Sequence, residues 1–120
     1  MEEELFQEMI DIIYNPDPVT GLVSLNEIYR IGNRLRASQG KSLRLVKDFL
    51  GSPEVQEFIT ALSESLNVPR EELYKVVQGK FGGTQINPIL AMQAISRIDP
   101  LLDVMAYELL LTNWLKSIRQ

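Results

Sequence analysis

The chain has 120 residues, 45% hydrophobic and 23% charged, which suits one ordinary globular domain with a modest core rather than a disordered segment. It contains neither cysteine nor histidine, which excludes disulfides, thiol nucleophiles and zinc–thiolate sites, and removes the commonest general base and metal ligand. The net charge of −4 argues mildly against a nucleic-acid partner, yet the charge is segregated.

Residues 1–29 hold seven acids and no base, whereas residues 30–47 hold six bases (Arg30, Arg34, Arg36, Lys41, Arg44, Lys47) and no acid. Residues 48–69 then carry four acids and no base. Local field steers an anionic partner more than net charge does, so the basic block is the informative feature. The acidic N-terminus, MEEELFQEM, lacks the basic start of an export or transit peptide, and no apolar run approaches the ~18 residues that span a bilayer. The expectation is a cytoplasmic protein with no membrane partner.

Along the chain, Leu5, Phe6, Met9, Ile10 and Ile13 form a helical stripe over residues 2–13, with acids at its N-terminus. Its end is ambiguous, because Ile10, Ile12 and Tyr14 also alternate as in a strand. Asn15-Pro16-Asp17-Pro18 stops the helix, and Thr20-Gly21 turns into Leu22-Val23, so a small hairpin fits here. Ser24-Leu25-Asn26-Glu27 is a capping box that opens a helix burying Leu25, Ile28, Ile31 and Leu35. On that helix Arg30 and Arg34 stack at i, i+4.

After a turn over 37–41, Ser42 is expected to cap a second short helix ending at Gly51. There Leu43, Val46 and Leu50 would pack while Arg44 and Lys47 stay outside. Two short helices about a glycine-containing turn have the outline of a helix-turn-helix, or are two amphipathic helices with solvated arginines. Ser52-Pro53 then starts a structural helix that would bury Val55, Phe58, Ile59, Leu62 and Leu66.

Val76-Val77 enters the glycine-rich turn Gln78-Gly79-Lys80-Phe81-Gly82-Gly83, and Thr84-Gln85-Ile86 leaves it. Three glycines among five residues favour a hairpin or bulged loop, either an ordinary surface turn or a basic wing. Asn87 and Pro88 cap and start a helix burying Leu90, Ala91, Ala94, Ile95 and Ile98, and Asp99-Pro100 repeats the device for a last helix to about 118. That helix is apolar on two sides. Val104, Tyr107, Leu111, Trp114 and Ile118 make one seam at 3-4-3-4 spacing, and Leu101, Leu102, Met105 and Leu109 make another. Either the N-terminal helix sandwiches it, or one seam serves a homodimer or partner.

Catalytic patterns fail. Gly79-Lys80 has no preceding glycine at Walker spacing, and Phe81 stands where a magnesium-binding hydroxyl would be. The adjacent Glu71 and Glu72 diverge on a helix, and no Ser-x-x-Lys occurs in a convincing setting. An enzyme is not expected, and no cofactor is implied.

The run Gly82-Gly83-Thr84-Gln85-Ile86-Asn87-Pro88-Ile89-Leu90-Ala91, continuing to Ile98-Asp99-Pro100, resembles the GGT-x-x-HP-x-x-A…LSP signature of KilA-N domains. Those are DNA-binding modules of bacteriophages and large DNA viruses. Residues Gly21 to Ile28, and Phe49-Leu50 with Glu54 to Ile59, are similar to weaker upstream segments of that family. The run Val76 to Thr84 is similar to the wing of fungal APSES domains. Here Asn87 stands for the usual histidine, Gln85 for an aromatic and Arg97 for a tryptophan.

The resemblance spans roughly residues 14–107 of a single 1–120 domain. It implies an α+β, mostly helical fold: a winged-helix-like helix-turn-helix with a short β-hairpin wing. Residues 24–36 and 42–50 would be the helix-turn-helix and 76–86 the wing. Lys41, Ser42, Arg44 and Lys47 would lie along the recognition helix, Gln78 and Lys80 at the wing, and Arg30, Arg34 and Arg36 as flanking phosphate clamps. The implied function is a phage-type regulator or antirepressor-like factor that binds double-stranded DNA in the host cytoplasm. The alternative is a phage protein-interaction factor on the same scaffold, such as an inhibitor of a host defence complex.

Overall fold

Six α-helices and a three-stranded antiparallel sheet make up the described residues of a computed structural model, 1–80 and 82–118. Helix α1 (Glu2–Tyr14) begins with Glu2, Glu3 and Glu4 in its first turn and buries the stripe Leu5, Phe6, Met9, Ile10 and Ile13. Its last turn stays helical, so the strand alternative at Ile10–Tyr14 does not form. Past the prolines, Asp17 Oδ1 accepts the Val19 and Thr20 amides at 2.8 and 2.9 Å. Those bonds hold the Asp17 carboxyl below its usual range.

Strand β1 (Val23–Ser24) then pairs with a strand about sixty residues on rather than with an upstream neighbour. The expected local hairpin is thereby replaced by a long-range one. Helix α2 (Leu25–Ser38) starts at Ser24, whose side chain accepts the Glu27 amide at 3.2 Å. The Glu27 carboxylate turns to Arg30 at 2.7 Å, so only half of the capping box closes.

Helix α3 is a single turn (Lys47–Leu50), a correction to the helix expected from Ser42. Backbone groups of Lys41, Ser42 and Arg44 are tied to α2 instead. Arg36 Nε donates to the Ser42 carbonyl at 2.6 Å, and the Asn33 side chain clamps Arg44 through its amide at 2.8 Å and its carbonyl at 2.9 Å. Phe49 takes the buried place, while Leu43 is exposed. Helix α4 (Pro53–Leu66) buries Val55, Ile59 and Leu62. Leu66, expected inside, is exposed, because the helix ends there on the left-handed residue Asn67 (φ 55°).

A 3-10 turn (Arg70–Glu72) leads into β2 (Tyr74–Val77), which forms a hairpin with β3 (Gly83–Ile86). The sheet order is β1-β3-β2, with Val23 and Tyr74 both registered on Ile86. The Thr84 amide donates to Asn26 Oδ1 at 2.7 Å, joining hairpin and α2. A Cβ at Gly83 would stand 2.9 Å from that same oxygen, so the close approach needs glycine.

Asn87 caps α5 (Pro88–Ile98) through the Ile89 amide at 2.8 Å, as its sequence position predicts. Helix α6 (Pro100–Ile118) packs on α5, whereas α1 lies against α2 and α5. The core is one cluster drawn from α1, α2, α4, α5, both ends of the sheet and the inner face of α6. Of the two α6 seams, Leu102 is buried with Leu101, Met105 and Leu109 against the core. The other seam is left outside, uncovered by α1. Among the described residues no helix is long and apolar enough to cross a membrane.

The crossing of α2 on α5 is tight. A Cβ at Gly32 would fall 2.7 Å from Ile98 Cγ2. Gly32→Leu should therefore lower stability by about 2 kcal/mol, a magnitude expected of overpacking, as measured by urea unfolding. A variant of unchanged midpoint would show that this crossing yields.

Candidate nucleic-acid interface

Four of the six bases in the 30–47 block are committed within the protein. Arg30 pairs with Glu27 at 2.7 Å and Arg34 with Glu8 at 3.4 Å, both on the surface with roughly half-exposed side chains. Such pairs are weak, about 0–1 kcal/mol, but each sets an acid beside the guanidinium and lowers the local positive field.

Arg36 cannot swing to a phosphate. Its side chain is only 7% exposed and its NH1 donates to the Ile98 carbonyl at 3.0 Å and to Asp99 Oδ1 at 3.2 Å. The expected phosphate clamp is a buried structural cation. Lys41 lies on the loop before α3 rather than on a recognition helix, and its ammonium reaches Asp99 Oδ1 at 2.9 Å. Ser42 is likewise an exposed loop residue, holding Arg36 through its carbonyl rather than capping a helix.

Asp99 divides its two oxygens. Oδ1 takes Lys41 and Arg36, while Oδ2 accepts the Leu101 amide at 3.0 Å and so caps α6. Burial works to raise its pKa, but the Lys41 hydrogen bond, the Leu101 amide and the charges of Lys41 and Arg36 outweigh it, and the carboxyl titrates below its usual range.

Arg44 and Lys47 remain. Both are exposed and make no ion pair among the described residues. Arg44 lines a cleft of about 390 Å³ with Tyr29, Leu45, Asp48, Phe49, Ser96 and Arg97. Arg97 enters it while donating to Ser52 Oγ at 3.0 Å and reaching Glu54 at 3.4 Å. Burial raises the Tyr29 phenol above its ordinary range; the charges of Arg97 and Arg44 oppose that rise and Asp48 adds to it. Two guanidiniums about one open cleft favour an anion, with Asp48 opposing them. Asn33 and Arg97 complete this site, and sequence reasoning did not assign them to it.

The wing residues lie elsewhere. Gln78 and Lys80 are exposed on the β2–β3 turn, which a Gly82 amide to Gly79 carbonyl bond closes at 3.0 Å. Phe81, part of the same turn, lies outside the described residues. The hairpin is anchored at Asn26 and the basic loop at Asn33, roughly 10 Å apart along α2 at 1.5 Å per residue. The structure thus brings Arg44 and Arg97 to one cleft and sets the β2–β3 hairpin against the N-terminal turn of α2.

No group of three metal-capable side chains occurs among the described residues. The chain matches no family model, no curated protein and no solved structure.

Asp99→Asn strands the Arg36 guanidinium in the interior, a change of the kind that costs about 3–5 kcal/mol. The advantage of wild type over this variant should be full above the unfolded-state carboxyl pKa of about 3.9. It should fade as pH falls through the depressed folded-state value, since protonated Asp99 and Asn then resemble each other. Urea unfolding from pH 7 down to acid checks both points, and a gap that stays constant with pH would contradict them.

Proposed function

We propose that this protein binds double-stranded DNA through a winged helix-turn-helix of the KilA-N kind. Arg44, Lys47 and the Arg97 cleft would be the phosphate-contacting centre, and the Gly79–Gly83 turn the wing. The observation that carries the reading is that Arg44 and Lys47 stay exposed and without an ion pair among the described residues, at the end of an otherwise neutralised basic block. The element order supports it: helix, strand, helix, basic loop, the short α3, α4, then a hairpin whose second strand pairs with the first strand.

A one-turn α3 is too short to lay several side chains along a major groove, and the outer face of α4 carries Glu57 and Glu64. Contacts are therefore mostly to phosphate, with little reading of base edges. The protein is a low-specificity duplex binder or a regulator that gains specificity from a partner.

Fluorescence anisotropy with a mixed-sequence duplex should give a log K against log salt slope of about −2 to −3, one step of ~0.9 for each phosphate neutralised. Six free bases would give a slope nearer −5 by the same rule. Arg44→Glu with Lys47→Glu should abolish binding and leave the melting temperature unchanged. Unaltered binding by the double variant would overturn the site. No binding by wild type at low salt would overturn the function, in favour of a protein-interaction factor on the same scaffold. The pairing of Arg30, Arg34, Arg36 and Lys41 within the chain is the observation on that side.

A further inference from the structure

The outer seam of α6 has no covering element. Val104, Tyr107, Leu111, Trp114 and Ile118 are each 51–66% exposed, and Leu110 beside them is 59% exposed. Their 3-4-3-4 spacing is the a/d repeat by which one helix packs along another, rather than the broader face that rests on a sheet or a loop. Isolated exposed leucines need no explanation, but about four turns of aromatic and aliphatic side chains in one line do.

We propose that this seam pairs with the same seam of a second copy of the chain, antiparallel, about a two-fold axis near Leu111. Charge selects both the occupant and the direction. The first half of α6 carries Asp103 and Glu108, and the second half carries Lys116. A parallel pair would set acid beside acid, whereas the antiparallel pair brings each Lys116 to the acidic half of its partner. The acidic half also lacks donors. Asp103 Oδ1 and Gln93 Oε1 are buried with no hydrogen-bond partner among the described residues. Both line one apolar hollow of about 260 Å³ with Tyr107 and Leu110, at the edge of the seam. An ammonium offers three donors and no acceptor, which is what such a hollow needs from whatever covers it. An isologous interface supplies this twice, once at each end.

Trp114 is the chain's single tryptophan, and it sits in the seam. Sedimentation equilibrium should give twice the 13.7 kDa chain mass at tens of micromolar. Trp emission should shift to the blue as concentration rises through the dissociation constant. Leu111→Glu, at an exposed site, should weaken association roughly 30-fold or more, the effect of losing a central interface residue, with an unchanged circular dichroism melt. Lys116→Glu, which sets a carboxylate against the partner copy's Asp103 and Gln93, should weaken it too, whereas Lys116→Arg, which keeps the charge and the donors, should not. A wild-type monomer with concentration-independent emission would overturn the dimer and leave the seam to a different protein. A dimer that Leu111→Glu disrupts but Lys116→Glu leaves intact would overturn the antiparallel arrangement. The outcome stands apart from DNA binding, because Arg44→Glu with Lys47→Glu leaves the seam untouched.

Discussion

The buried carboxylate of Asp99 is the point on which the rest of the structure turns. One oxygen caps α6 and the other holds Arg36 and Lys41. Through Arg36 the same group reaches the Ile98 carbonyl at the end of α5 and the Ser42 carbonyl in the loop after α2. Two chain segments some sixty residues apart, 36–42 and 98–101, thus meet on one charge. A buried pair of this kind is poor proof of net stability, since desolvating two ions offsets much of their attraction. Its effect is on geometry. With Arg36 bonded to Ser42 and Asn33 to Arg44, residues 42–44 stay out of the helix and are presented as an anchored loop.

That constraint explains where the sequence was legible and where it was not. Helix starts were plain because their caps are local: Ser24, Asn87 and Asp99 each bond an amide two or three residues on. The glycine-rich hairpin and the burial stripes of α1, α2 and α5 were plain for the same reason, as period and turn chemistry lie within a few residues. The two seams of α6 were visible as well. Which of them faced inward was not, since that depends on α5 covering one side and α1 staying away.

The failures share a cause. Ser42 has the look of a cap and Arg36 of a solvated arginine until a residue some sixty positions away is placed beside them. The side chains of Asn26 and Asn33 do similar work, fixing the β2–β3 hairpin and the basic loop to two places along α2. Asparagine bonding to a distant backbone leaves no periodic trace, so nothing in the local pattern marks either one. Strand β1 is equally opaque. Two residues long, it is defined by its partner Ile86 and Gln85 rather than by its own composition.

The neutralisation of the basic block also bears on how the chain can act. Counting Lys and Arg along residues 30–47 suggests a strong electrostatic footprint. Once Arg36 and Lys41 are tied to Asp99 and the surface pairs of Arg30 and Arg34 are set against their acids, the field left to an approaching anion centres on Arg44 and Lys47. A footprint that small steers weakly and reads little sequence, so a monomer would hold a duplex loosely. Joining two copies converts the second contact into an intramolecular one and raises the effective affinity without any new phosphate contact. Under the proposed DNA-binding function and the proposed pairing of α6, the seam and the sparse basic centre would complement each other, a second copy supplying the second cleft that a single two-arginine cleft lacks.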